Sequence, residues 1–166
     1  VEQYGVLSTY LTRHGAGPLP THDASLDRLL PEPHNHGGGW QGKFRRGHPD
    51  AVLLRYALEA AGDLTGLFIS HLDVFQRGIS LKFCARYSTA SPLAQTSSYT
   101  ERLPLSMGED LTHQLELTKM LQSARPQYDA VPIKTAATFV ERIASVTSLP
   151  ITLRSHGSTS AHVRGV

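Results

Sequence analysis

The sequence predicts an α/β fold, with helices packed on a mostly parallel sheet. Three observations carry this. Short runs rich in β-branched and aromatic residues, at 4–12, 67–69, 79–87 and 151–153, alternate with helical patterns at 49–61, 109–121 and 135–147. Two of those helical patterns have continuous apolar stripes: Leu53, Leu54, Ala57, Leu58 and Ala61, then Ala136, Phe139, Val140, Ile143 and Val146. Polar turns at 70–75 and 155–159 follow two strand ends, and open parallel sheets bind ligands at that edge.

Taken in order, residues 4–12 read as one buried strand, closed by the glycines and prolines of 15–20. A short helix is expected over residues 24–30, capped by Asp23 and ended by Pro31 and Pro33. Residues 37–47 form a glycine-rich basic loop, expected to be mobile without ligand. The helix after it stops at Gly62. Residues 67–69 make a short strand and 79–87 another, with Cys84 inside it. The Ser/Thr/Pro-rich stretch 88–98 reads as a surface connection, and 99–105 as an edge strand. Acids open the helix at 109–121, and Pro150 marks the end of the helix at 135–147. The 166 residues are enough for one domain with its own core. Val1 leads toward a strand with no initiating methionine, the expected mark of a fragment.

Composition narrows the function classes. Sixteen basic and 14 acidic residues leave a formal charge of +2, too little to indicate nucleic acid. No apolar run approaches the ~20 residues of a membrane span, and no signal peptide opens the chain. One cysteine excludes an internal disulfide framework and points to a reducing, cytoplasmic setting.

Residues 37–75 hold most of the candidate chemistry. Lys43, Arg45 and Arg46 lie among glycines, with no acid between 37 and 49. Such a run either binds a phosphate or carboxylate or is a solvated charge run. Asp73, just past a strand end, is a ligand contact or a turn and N-cap residue. Arg13 is a ligand contact or an ion-pair partner. His34, His36 and His48 are solvent-exposed by default, since they lack the ligand pattern of zinc sites, and no metal site is assigned. Cys84 reads as core filler rather than a nucleophile. No Gly-Lys-Ser/Thr phosphate loop occurs.

Three stretches, taken together, resemble the C-terminal part of adenylosuccinate synthetases. The run Leu11-Thr12-Arg13-His14-Gly15-Ala16-Gly17-Pro18-Leu19-Pro20-Thr21 is similar to that family's Thr-Thr-Arg-Val-Gly-x-Gly-Pro-Phe-Pro-Thr. Gly42 to Gly47 with Asp50-Ala51-Val52 and Leu54-Arg55-Tyr56-Ala57 resembles Gly-Arg-x-Arg-Arg-x-Gly-Trp-x-Asp-Ala-Val followed by Leu-Arg-Tyr-Ala. Leu64-Thr65-Gly66-Leu67 and Leu72-Asp73-Val74 resemble Leu-Thr-Gly-Leu and the Lys-Leu-Asp-Val of the guanine-recognition turn. Glu141-Arg142-Ile143, Leu149-Pro150-Ile151 and Ser155-His156-Gly157 resemble the family's Glu-Arg-Ile, Val-Pro-Ile and Ser-x-Gly-Pro; residues 88–132 match loosely.

The resemblance implies the C-terminal part of a mostly parallel, P-loop-like fold. It also implies a ligase that joins IMP and aspartate using GTP and magnesium, working as a homodimer. Asp73 would accept from guanine N1–H and the exocyclic amino group, with His71, Ser155 and Gly157 around the same base. Arg13, His14, Gly42, Lys43, Arg45 and Arg46 would serve aspartate, IMP and the GTP phosphates. The family's phosphate loop and catalytic aspartate and histidine belong to an N-terminal half absent from this sequence, so no catalytic residue is assigned. The sequence departs from the family at His71 for lysine, Lys43 for arginine, His48 for tryptophan and Ser158 for proline. Phe44 interrupts the basic run, and one residue before Gly47 is lacking. The other reading is a free-standing, non-catalytic nucleotide- or anion-binding module.

Overall fold

A computed structural model describes residues 1–32, 35, 39–89, 98–106, 108 and 110–165. The chain forms β1 (Tyr4–Ser8), β2 (Leu11–His14), α1 (Ala24–Leu29), β3 (Phe44–Gly47), α2 (Ala51–Ala61), β4 (Gly66–Ser70), β5 (Cys84–Thr89), β6 (Ser98–Thr100), α3 (Leu111–Ser123), β7 (Arg125–Tyr128), α4 (Ala136–Thr147), β8 (Ile151–Ser155) and β9 (Val163–Gly165). The principal sheet has the order β1-β4-β8-β9; β1, β4 and β8 run parallel, and β9 closes one edge antiparallel. The expected α/β architecture with a mainly parallel sheet is therefore present.

Helices α2 and α4 cover one face of this sheet. Leu67, Ile69, Ile151, Phe139, Val140 and Ile143 are buried there, with Leu7, Leu54 and Leu58 packed against them. Side chains alternate along a strand, so Tyr4, Val6 and Phe68 point to the other face. Between Leu67 and Phe68 the pairing with β8 slips by one residue: Leu67 faces Ile151 but Phe68 faces Leu153. That irregularity turns Leu153 to the side of Phe68, and Thr152 Oγ1 donates to the Leu67 carbonyl at 3.1 Å beside it. No described helix covers this second face, where Val6 is 72% and Leu153 41% exposed.

Helix α2 also serves a second core. Val52, Cys84, Tyr87, Leu103 and Leu117 are buried together, against Leu53, Tyr56 and Met120. This core lies between α2, α3 and an antiparallel sheet of order β6-β5-β7. Both helix ends of α2 follow the sequence: Asp50 accepts from the Val52 and Leu53 N–H groups, and Gly62 closes the helix at φ 76°. Asp23, Asp110 and Thr135 cap α1, α3 and α4 in the same way.

Several boundaries differ from the expected ones. Residues 4–12 are two strands, because Thr9 leaves the ladder; its N–H donates to the Ser70 carbonyl and its hydroxyl to the His71 carbonyl, and it is fully buried. The strand expected at 79–87 begins only at Cys84. Ile79, Leu81 and Phe83 are buried by packing, with a single bridge from Leu81 to Ile133. Helix α3 starts at Leu111, so the acid at its start is the cap Asp110. The basic loop is in part a strand, since Phe44–Gly47 pairs antiparallel with β2; Gly37 and Gly38 lie outside the described residues, as do His34, His36 and Glu109. Strands β7 and β9 were not anticipated. No described helix is long and apolar enough to cross a membrane.

Candidate functional site

Two groups of candidate residues emerge, and no residue lines both. The first lies at the carboxyl ends of β4 and β8. Those strands are adjacent and parallel, so the turns after them meet at one edge. A cavity of about 210 Å³ opens there, lined by Ser70, His71, Asp73, Ser155, Gly157 and Ser158. Sites that enclose drug-sized ligands usually span ~300–1,000 Å³, so this one is smaller than those. Four residues named from the sequence, His71, Asp73, Ser155 and Gly157, are thus brought together from two segments distant in the sequence.

Asp73 sits in a 3-10 turn over Leu72–Val74, flanked by two fully buried side chains. Its carbonyl accepts from the Gln76 and Arg77 N–H groups, which fixes the turn. Its carboxylate takes no hydrogen bond or ion pair among the described residues and caps no helix, leaving it free to accept. Ser155 is buried and donates to the Gly157 carbonyl at 2.8 Å. Gly157 has a structural reason to be glycine: a Cβ there would come within 2.6 Å of the His162 ring. That ring is held by the Thr159 hydroxyl at 2.9 Å.

The second group is the β2–β3 hairpin. Its register sets Arg13 opposite Arg45, His14 opposite Phe44 and Thr12 opposite Arg46. Gly42, at φ 75°, lies against Gly15, where a Cβ would approach the Gly15 Cα to 3.2 Å. All six substrate-contact candidates therefore share one hairpin. Their charges are not free in the way expected. Asp27 of α1 accepts from the Arg46 N–H at 2.8 Å and from His22 at 3.0 Å, with Lys43 Nζ 3.6 Å away. Arg46 is buried against the Phe44 ring. Arg45 donates to the Gly15 carbonyl at 2.6 Å and also to Gly17. Arg13 is exposed, its guanidinium lying over Gly17 rather than in an ion pair. Lys43 is 65% exposed at its side chain. His14 packs on Phe44 and shares a hydrogen bond with Asn35 at 3.3 Å.

Asp27 was missed from the sequence; the nearest signal was that the basic run had no acid of its own. Burial alone would raise its carboxyl, but the bonds from His22 and Arg46 and the charge of Lys43 bring it below the ordinary carboxylate value. Asp23 is held lower still, first by the Ser25 hydroxyl and then by His48. His48 corrects another expectation: it is 3% exposed, with Nε2 3.2 Å from Asp23 Oδ2 and Nδ1 accepting from the Lys82 N–H. Burial depresses its basicity, and both nitrogens are occupied. Cys84 is buried, and desolvation pushes its thiol up to about 12, as suits core packing rather than nucleophilic attack. Beneath α2, Tyr87 donates to the buried Asp50 carboxylate at 2.5 Å. Among the described residues no group of three or more His, Cys, Asp or Glu is placed to hold a metal.

The cavity lies over the carboxyl ends of adjacent parallel strands, the edge where open α/β sheets commonly take ligands, and the chain is an α/β protein with a candidate site there. The chain belongs to the adenylosuccinate synthetase family, whose model matches residues 1–164. It is similar to the adenylosuccinate synthetases of Syntrophus aciditrophicus (32% identity, 95% of this chain, 36% of the relative) and Shouchella clausii (31%, 98% and 38%). The fold matches a fully ligated adenylosuccinate synthetase from Plasmodium falciparum with a TM-score of 0.74 at 17% identity, over 98% of this chain and 39% of that one. The chain thus spans between a third and two fifths of the length of these relatives.

Proposed function

We propose that this chain is the C-terminal part of a GTP-dependent ligase that joins IMP and aspartate to form adenylosuccinate, on the route to AMP. Family membership supports the reaction, and the partial span supports a shared machinery. The observation that carries the reading is the unengaged Asp73 carboxylate in the β4–β8 cavity. There it accepts from guanine N1–H and the exocyclic amino group. Adenine lacks that donor pair and would leave the acceptors unpaired, so the same contact gives affinity and base selectivity.

The β2–β3 hairpin takes the aspartate and the IMP side, with Arg13 and Lys43 the cations most open to a carboxylate or phosphate. Arg45 keeps the Gly15–Gly17 turn in place beneath them. The phosphate loop, magnesium and the catalytic acid and base lie in the N-terminal part, and the assembled enzyme is a cytoplasmic homodimer. General acid–base and phosphoryl chemistry need those groups, so the isolated chain binds without turning over.

Calorimetry with guanosine diphosphate on the isolated chain tests this. Asp73→Asn is expected to weaken binding by about a hundredfold, roughly 3 kcal/mol, because an amide donor then faces guanine's donors. Xanthosine diphosphate, which carries an acceptor in place of the amino group, should lose much less. Equal guanosine diphosphate binding by variant and parent would overturn the assignment. Sustained adenylosuccinate formation by the 166-residue chain alone would overturn the division of labour.

A further inference from the structure

We propose, resting on the base-site reading above, that His71 makes nucleotide binding at the β4–β8 cavity proton-linked, with tighter binding when its imidazole is charged. His71 holds the left-handed conformation at φ 61° and ψ 28°. Ser148 is the other described non-glycine residue with positive φ, and it closes a helix. His71 closes none. A strained backbone persists where its surroundings over-determine it, and here they do. Thr9 Oγ1 donates to the His71 carbonyl at 2.8 Å. The ring Nδ1 lies 2.9 Å from Ser70 Oγ and 3.4 Å from Ser8 Oγ, and the Tyr10 ring meets the imidazole edge-on at 5.5 Å.

The identity of those partners matters. A serine hydroxyl donates to a neutral Nδ1 and accepts from a protonated one. The ring therefore keeps its place in both charge states, while Nε2 makes no hydrogen bond to a described residue. Histidine is the side chain that changes charge between pH 5 and 8.

The groups facing the ring set the sign. Among the described residues that line the cavity Asp73 is the one acid, and none is a lysine or arginine. From the end of β1 come Ser8, Thr9 and Tyr10, whose hydroxyl is held by Glu32 at 3.0 Å. The turn after β8 brings Ser155, His156 and Ser158; His162 behind it is committed to Thr159. With His71 neutral the lining carries the Asp73 charge alone and repels an anionic nucleotide. With His71 protonated the lining is neutral overall and offers a cation to the π face of a base.

The test is calorimetric titration of guanosine diphosphate, without metal, into the parent chain, His71→Asn and His71→Lys at pH 6 and pH 8. Asparagine tolerates the left-handed backbone, and lysine stays charged throughout. The terminal phosphate also titrates near pH ~6, so the effect is read as the difference between parent and variants. The parent is expected to gain about tenfold more affinity between pH 8 and pH 6 than either variant does. His71→Lys should be tight at both values and His71→Asn weak at both. By reciprocity the nucleotide must raise the midpoint of the His71 ring titration in the parent, read by NMR without any variant. An unchanged midpoint, or a full pH slope retained by His71→Asn, overturns the proposal and leaves the base site standing. Absence of nucleotide binding to the parent at both pH values overturns both.

Discussion

At the scale of residues, the hairpin rests on one carboxylate from another element. Asp27 side-chain exposure is 14%, and it meets Arg46, His22 and Lys43 at once. Its carboxyl is lowered in the folded chain, so its stabilisation is complete above the unfolded aspartate value of ~3.9. It is lost as the pH falls through the folded value. Asp27→Asn keeps an acceptor for the Arg46 N–H and removes the charge. It is expected to lower unfolding free energy at pH 7 by about 1–3 kcal/mol. The parent and variant denaturation curves should then converge below pH ~4. A constant gap down to pH ~3 would assign the loss to shape rather than charge.

At the scale of elements, α4 ends on Ser148 at φ 55°, and its N–H still closes the last turn on the Ala144 carbonyl. Left-handed backbone costs a non-glycine residue ~1–2 kcal/mol, against a glycine entropy penalty of ~0.5–1 kcal/mol. Ser148→Gly should therefore stabilise the chain by about 0.5 kcal/mol, seen as a raised denaturation midpoint with an unchanged slope. Helix α4 was legible because its apolar stripe and the Pro150 beyond it are local signals. So were α2, with its stripe and its stop at Gly62, and the convergence of Asp73 with Ser155 and Gly157 through matched motifs. The rest was decided by contacts distant in sequence. Residues 4–12 split because Thr9 binds across to Ser70 and His71. Ile79, Leu81 and Phe83 alternate like a strand yet are buried by α4 and its neighbours. Arg125–Tyr128 contains Pro126, a poor strand signal, and its pairing is with the distant β5. Nothing near Lys43 in sequence pointed to Asp27.

At the scale of the whole molecule, the principal sheet is dressed on one side. Parallel sheets are ordinarily covered on both faces. Here Tyr4, Val6, Phe68 and Leu153 form an apolar strip on the face away from α2 and α4, and β1 is an unpaired edge in the described sheet. Val6→Lys with Leu153→Lys is expected to leave the unfolding free energy within ~1 kcal/mol of the parent, since both side chains are already exposed. The same pair should suppress binding of a hydrophobic dye and self-association in sedimentation. Undiminished dye binding would locate the sticky surface elsewhere.

The double duty of α2 carries a last consequence, for cooperativity. Ala51 belongs to the core under the parallel sheet and Val52 to the core under the antiparallel one. Neighbouring residues on one rigid helix tie the two, and the Asp50–Tyr87 bond clamps the helix start to β5. Neither half can loosen without pulling a wall from the other. The parallel sheet and the β6-β5-β7 sheet are therefore expected to melt as one unit, and with them the turn that carries Asp73 between the buried Leu72 and Val74.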